Sequence, residues 1–419
     1  MMPTRHAAGL LLAIGLAACG PNGIDLGGGG DTGWLYPLTV ATDVAVIDID
    51  GDGRADVLTL EQLSTSETDR KGRLLLYRQT TPGVFSAPEV QVVGYYPWHF
   101  VIADVNEDGA LDLVVTDPSA GDVWLLWQET GNRGHFQAPV RLASGVHGYS
   151  AAVADLNGDG ATDIAMPVGR IATTSMLLLY QDPATPGRFL PEVTLNLPGP
   201  GSHATAGDLN QDGRPDLALQ IRTAGGSTDP PTNAIGYLPQ LPDGQLGSLH
   251  VVASETGLNV GRMLIDDYDG DGVQDLFVYF TPFSAQYTAT LTVVRQAVIP
   301  GTFLAKTDTP LDGVKGLDDA VFADLNGDLR PDAAVGGFFP VGSPSSVQSR
   351  INLFTQAGGG SFAPTTIHSM PVPVSRIAAG DLNGDGTVDL VGFAGEGGCQ
   401  VMLQSPTAPG SFSPPRPLR

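Results

Sequence analysis

The chain is written in short apolar runs bounded by turn residues, the pattern of buried β-strands. Val44-Ala45-Val46-Ile47, Phe100-Val101-Ile102-Ala103 and Val321-Phe322-Ala323 each lead into an aspartate-rich segment. Val57-Leu58, Leu113-Val114-Val115, Leu217-Ala218-Leu219 and Leu276-Phe277-Val278 leave one. A third run follows in each unit, as in Leu74-Leu75-Leu76-Tyr77, Val123-Trp124-Leu125-Leu126, Met176-Leu177-Leu178-Leu179, Leu291-Thr292-Val293-Val294 and Ile351-Asn352-Leu353-Phe354. A turn and an aromatic come next: Phe85, Phe136, Phe189, Phe303, Phe362 and Phe412, with Leu246 in the fourth unit. A fourth strand is expected to begin at that residue. Four short strands per unit, repeated, predict an all-β protein built as a seven-bladed β-propeller.

The aspartate-rich segments set the count of seven. Asp48-Ile49-Asp50-Gly51-Asp52-Gly53-Arg54-Ala55-Asp56 recurs from Asp104, Asp155, Asp208, Asp267, Asp324 and Asp381, at steps of 56, 51, 53, 59, 57 and 57 residues. Side-chain oxygens stand at positions 1, 3, 5 and 9 of every copy. After the first copy these are Asp104, Asn106, Asp108 and Asp112; Asp155, Asn157, Asp159 and Asp163; Asp208, Asn210, Asp212 and Asp216. The last three copies supply Asp267, Asp269, Asp271 and Asp275; Asp324, Asn326, Asp328 and Asp332; Asp381, Asn383, Asp385 and Asp389. Position 7 can add a backbone carbonyl, from Arg54, Ala110, Ala161, Arg214, Val273, Arg330 and Thr387. Calcium takes six to eight oxygen ligands, so up to seven calcium ions are the expected cofactors. An EF-hand loop runs twelve residues to a Glu between helices, whereas these close after nine between strands. Asp-Gly turns alone are the bland alternative, but a turn needs two residues and here four positions keep register.

Glycine at position 6 lets the backbone turn through positive φ. Leu329 replaces it in the sixth copy, where a left-handed non-glycine residue costs about 1–2 kcal/mol. That loop is expected to be the weakest site.

The formal charge is −24, which excludes nucleic acid as a partner. Of 45 acidic residues, 23 occupy the ligand positions, so the acidity belongs mainly to the loops. Bare carboxylates at 4 Å repel by about 4 kcal/mol at an effective dielectric near 20. The empty loops are therefore expected to be loose and the loaded ones tight.

The N-terminus reads as an address. Arg5 and His6 precede an apolar stretch, Ala7 to Ala18, too short to span a bilayer. It ends in Leu16-Ala17-Ala18-Cys19-Gly20, which resembles the bacterial lipoprotein box, implying lipidation at Cys19. A plain secretory signal with an incidental cysteine is the alternative. Residues 1–18 are thus expected to be a signal peptide, 19–33 a Gly-rich tether and 34–419 the propeller. The protein is expected in the bacterial envelope, at the outer membrane or cell surface, held by lipid alone. Cys399 is then a lone thiol, so no disulfide stabilises the body.

The repeat resembles the FG-GAP/VCBS family, to which the integrin α-subunit head belongs. The resemblance rests on the loops and on loosely kept signatures such as Phe85-Ser86-Ala87-Pro88, over roughly Leu35 to Arg419. It implies calcium ligation by loop positions 1, 3, 5 and 9. It also implies that the loops lie on one face of the ring.

Five residues before each loop stand Asp43, His99, Ser150, His203, Arg262, Asp319 and Arg376. Each is polar and each is followed by an apolar residue. They are expected to ring the channel mouth on the opposite face, either as strand ends meeting water or as a site for a polar ligand. Long Ser/Thr/Gly-rich loops (Glu61 to Arg73, Ile221 to Ala234, Phe338 to Arg350) are expected there, beside Tyr95, Tyr96, Trp98 and Tyr149.

Catalytic motifs are missing: there is no His-Glu-x-x-His, no Gly-x-Ser-x-Gly and no phosphate-cradling loop. The expected role is a monomeric binding or adhesion module for an envelope or extracellular protein or a glycan. A carbohydrate-active propeller, lectin or polysaccharide lyase, is the alternative.

Overall fold

The computed structural model describes residues 38–418 apart from 65–69, 169–173, 225–229, 283–287, 312–316, 341–346, 357–360, 373 and 394–397. The expected signal peptide, the tether and Cys19 lie outside the described residues. Among the described residues there is no helix. Seven four-stranded antiparallel sheets follow one another along the chain, each built from strands in chain order, with a small hairpin before the fourth strand in the first and last.

Blade 1 comprises Leu38–Ile47, Asp56–Ser64, Arg70–Tyr77 and Glu89–Val92. Blade 2 comprises His99–Ala103, Asp112–Asp117, Asp122–Leu126 and Val140–Ser144, and blade 3 Ala152–Ala154, Asp163–Pro167, Ser175–Leu179 and Val193–Asn196. Blades 4, 5 and 6 begin at Gly201–Gly207, Leu258–Asp266 and Leu317–Ala323. Blade 7 comprises Arg376–Gly380, Asp389–Phe393, Cys399–Met402 and Arg416–Pro417.

The first strand of each blade touches the first strand of the next, and Arg376–Gly380 touches Leu38–Ile47, so the ring closes around a channel. Burial follows this radial order. The second strands of blades 2, 3 and 7 are buried throughout, while the outer strand Glu89–Val92 is mostly exposed. Seven separate apolar clusters fill the seven gaps between neighbouring blades. The cluster joining the last blade to the first holds Val44, Val57 and Phe85 with Val391, Phe393 and Cys399. Among the described residues, closure uses this packing and no strand is shared between the termini, the strands of blades 1 and 7 each coming from one stretch of the chain.

Two expectations about strands need correction. The fourth strand does not start at the aromatic in six of the seven blades. That residue instead pairs with a glutamine in a small hairpin, as in Gln79↔Phe85, Gln128↔Phe136 and Gln404↔Phe412. The outer strand begins four residues later, at Glu89, Val140 or Arg416. Proline in the gap (Pro88, Pro139, Pro414, Pro415) withholds the N–H a ladder needs. Only in blade 6 does the strand run from Phe362. The supposed long loops are also largely strand: Ser64 pairs with Arg70, Ala224 with Thr232 and Pro340 with Val347. Ser, Thr and Gly in these hairpins had hidden the ladder.

Candidate functional site

Each loop joins the first strand of its blade to the second, and its closing aspartate is the first residue of that second strand. In all seven copies the position-1 carboxylate gathers the backbone. In the first, Asp48 Oδ1 accepts from Asp52 N at 3.0 Å and Oδ2 from Gly53 N at 2.8 Å. The position-5 carboxylate takes the N–H of position 7, as Asp52 does from Arg54 at 2.9 Å. These bonds point the oxygens of positions 1, 3 and 5 to one side.

Asp48, Asp50 and Asp56 bring carboxylate oxygens within 4.8 Å of one another, and so do Asp267, Asp269 and Asp275. Elsewhere position 3 is Asn, and in four of those five loops its amide oxygen holds the same place: Asn157 Oδ1 accepts from Asp159 N at 2.9 Å, as Asp50 Oδ1 does from Asp52 N at 3.2 Å. Three of the loop oxygens, Asn210 Oδ1, Asp269 Oδ1 and Asp275 Oδ2, are buried with no protein donor. Orphaned oxygens in a cluster made only of oxygens fit a hard cation.

The closing aspartates are buried, and burial pushes their carboxyls up. Asp56, Asp112, Asp332 and Asp389 reach about 6, and Asp163, Asp216 and Asp275 about 7. Neighbouring loop carboxylates add to the rise, and backbone N–H donors oppose it. A divalent ion among these oxygens would reverse the balance.

Backbone handedness adds a finding. Position 6 is left-handed, as expected, and Leu329 adopts it at φ 66°. Position 4 is left-handed too, through glycine in five copies and through Glu107 (φ 59°) and Gln211 (φ 60°) in the others. Loop 6 keeps the same bonding pattern, with Leu329 N donating to Asp324 Oδ2 at 2.9 Å.

Sequence reasoning missed seven glutamines: Gln79, Gln128, Gln181, Gln240, Gln296, Gln356 and Gln404, all buried. Each follows the third strand of its blade or ends it, and each donates its backbone N–H to Oδ1 of the closing aspartate at 2.7–2.9 Å. In six blades the side-chain amide reaches a loop carbonyl of the preceding blade. Gln79 reaches Leu382 O, Gln128 Ile49 O, Gln181 Val105 O, Gln240 Asp155 O, Gln296 Asp208 O and Gln356 Tyr268 O. The loops are thus fastened to one another around the ring. The residue before this glutamine also answers the loop's charge. Where position 3 is Asp it is arginine: Arg78 lies 3.8 Å from Asp50 and Arg295 3.1 Å from Asp269.

The seven polar residues expected at the mouth lie on or just before the first strands, Asp43 and Arg262 at mid-strand, and most bind the neighbouring blade. Asp43 accepts from His99 Nδ1 at 2.5 Å and from Phe100 N at 3.1 Å. Ser150 Oγ accepts from Ala204 N and donates to Ala204 O, both at 3.0 Å. Arg262 Nη1 lies 2.9 Å from both Asp319 oxygens, and Asp319 also accepts from Ile377 N. Arg376 Nε donates to Thr42 O across the closing gap. Burial disfavours the Asp43 charge, but His99 and Arg262 outweigh it and hold the carboxyl below its usual range. Burial, with His99 adding, drives the His203 imidazole down to about 4.

Beside this ring runs an aromatic row across three blades. Tyr96 stacks on Trp98 (6.4 Å), Trp98 meets Tyr149 edge-on (5.4 Å), and Tyr149 stacks on His203 (5.8 Å). The Arg376 guanidinium sits 5.4 Å over Trp98.

With this geometry in hand, residues 48–115 and 104–166 match a family described as FG-GAP-like repeat. The chain therefore carries FG-GAP-like repeats in a seven-bladed propeller. Among solved structures it is similar to a puromycin hydrolase S511A mutant complexed with PGG, at 13% identity and a TM-score of 0.49, over 90% of this chain and 54% of that one. It thus spans about half the length of that hydrolase. It is also similar to rhamnogalacturonan lyase YesW (14%, TM-score 0.34, 86% of this chain and 90% of that one) and to exotype rhamnogalacturonan lyase YesX (11%, 0.34, 86% and 89%). No curated protein sequence matches the chain.

Proposed function

We propose that the protein is a calcium-stabilised, lipid-anchored β-propeller of the cell envelope that acts as a binding module for a protein or a glycan. Calcium in each of the seven loops is supported by the repeated oxygen geometry and by the orphaned oxygens of loops 4 and 5. When bound, the ion supplies the positive charge that lets four acidic or amide oxygens share one point. The chain's own part is to hold that point still, through the closing aspartates and the glutamines behind them. Seven divalent ions would bring the formal charge of −24 to about −10.

One observation carries the binding role: the aromatic row Tyr96–Trp98–Tyr149–His203, half-buried beside the channel mouth. Side chains of this kind offer rigid contact area to a ligand. The ring of charges beneath it is occupied in joining blades, so it acts as the floor that positions the row. The test is capture of envelope protein or glycan by wild type and by Trp98→Ala/Tyr149→Ala. Loss of capture with an unchanged melting temperature supports the mouth as the site, and undiminished capture removes it. Release of unsaturated sugars from an acidic polysaccharide would instead establish a lyase. Anchoring is tested by Cys19→Ser, which is expected to leave the membrane fraction.

A further inference from the structure

We propose that a groove on the loop face, between blades 2 and 3, binds a short neutral saccharide. The inference rests on the reading of the protein as a recognition module, but puts the ligand on the face opposite the mouth.

The groove holds about 680 Å³, within the span of about 300–1,000 Å³ usual for small-ligand sites. One wall is the hairpin after the third strand of blade 2. It is pinned by Glu129 N to His135 O at 2.8 Å and by Gln137 N to Trp127 O at 2.8 Å. The other wall is the matching turn of blade 3, where Gly187 N donates to Gln181 Oε1 and Arg188 N to Thr185 O. Gly187 makes the left-handed turn of this wall (φ 84°), and a Cβ there would make ordinary contact, at 3.6 Å, with the Trp127 ring and Asn106 Cβ across the groove. Asn106 and Asp108 of the second loop also line it.

Gln128 points to a ligand. It is 2% exposed and lines the groove, and its Oε1 has no donor in the protein. Its amide orientation is fixed, because Nε2 donates to Ile49 O at 3.0 Å and to Leu111 O at 2.9 Å. In blades 3 and 7 the same oxygen accepts from a hairpin glycine, Gly187 or Gly410. In blade 2 the equivalent Gly134 is drawn to Arg78, which donates to its carbonyl at 2.8 Å. Among the described residues, Gln128 is the one of the seven glutamines whose Oε1 is fully buried without a donor. A buried acceptor left without a donor is destabilising, and a ligand hydroxyl reaching it would satisfy it.

The lining selects the ligand's chemistry. Trp127 is half-buried, offering an aromatic surface to the C–H face of a sugar ring. Around it stand exposed side chains that accept, such as Glu129, and that donate, such as Arg188, with the amides of Asn132 and Gln137 doing both. Hydroxyl groups, which also do both, match this mixture, whereas a basic peptide would use only the acceptors. Glu129, on a chain of formal charge −24, repels an acidic saccharide.

The test uses the full calcium-loaded chain, with neutral trisaccharides (glucose, mannose, galactose and xylose series), oligogalacturonate and oligolysine as probes. Binding is read by calorimetry and tryptophan fluorescence. At least one neutral trisaccharide is expected to bind. Trp127→Ala should weaken that binding by about tenfold or more, and Trp127→Phe by about threefold or less. Asn132→Ala, at an exposed position, should weaken it with no change in melting temperature, which separates lost contact from lost fold. No binding by any neutral probe, binding of oligolysine or oligogalacturonate alone, or undiminished binding by both Trp127→Ala and Asn132→Ala overturns the proposal. If Trp98→Ala abolishes capture while Trp127→Ala does not, this groove falls and recognition at the mouth stands.

Discussion

Replacing Gln181 by leucine keeps much of the side-chain volume and removes every polar contact the side chain makes. Gln181 Nε2 donates to Val105 O in the loop of blade 2 and to Thr162 O in its own loop, both at 2.7 Å, and Oε1 accepts from Gly187 N. Three bonds at about 1 kcal/mol net each, with carbonyls left unpaired behind a residue 1% exposed, amount to a loss of about 2–4 kcal/mol. The damage should reach both loops, because one amide serves blade 2 and blade 3. Urea unfolding in saturating calcium should move to a lower midpoint, and calorimetric calcium titration should show weakened binding at more than one site. Gln245→Ala, an exposed glutamine with no partner to lose, is the control and should stay within about 0.5 kcal/mol of wild type. If Gln181→Leu matches the control in midpoint and in calcium titration, the glutamines are not fasteners and the coupling of neighbouring loops through them is wrong.

Leu329→Gly should stabilise the protein by about 0.5–1 kcal/mol and tighten the sixth loop, since Leu329 is 88% exposed and left-handed and has little packing to lose; equal or lower stability in urea would count against strain at that residue. His203 should stay neutral down to about pH 4 in the folded ring. The unfolded chain takes up that proton near pH 6.5, so stability should fall as pH drops from 6.5 toward 4. His203→Gln should flatten that limb, and an unperturbed His203 titration by NMR would refute it.

The blade count was legible because the loop chemistry is position-bound: four oxygens at fixed spacing cannot drift, so Asp48 to Asp389 mark seven units. The buried second strands were legible for the same reason, since each starts at a closing aspartate. The glutamines were hidden although they recur as regularly, at Gln79, Gln128, Gln181, Gln240, Gln296, Gln356 and Gln404. An uncharged amide beside a turn reads as surface until its partner is known, and here the partner lies mainly in the preceding blade. The ring at the mouth illustrates the same limit. Alternation identified Asp43, His99 and Arg262 as inward-facing, but only the fold brings His99 to Asp43 and Arg262 to Asp319. Left-handed position 4 was missed because Glu107 and Gln211 broke the glycine pattern that would have announced it.

The central claim is that cations held by the seven loops pin the inner hairpins of the ring. A single ligand at a hundred times its Kd adds about 2.7 kcal/mol, so even two loops contribute about 5 kcal/mol. The direct measurement is a melting curve before and after chelation, with metal analysis of the purified chain. The account predicts calcium in the preparation, a large fall in melting temperature on chelation, and recovery when calcium alone is returned. A chain that contains no calcium and melts at the same temperature with and without chelator would contradict it.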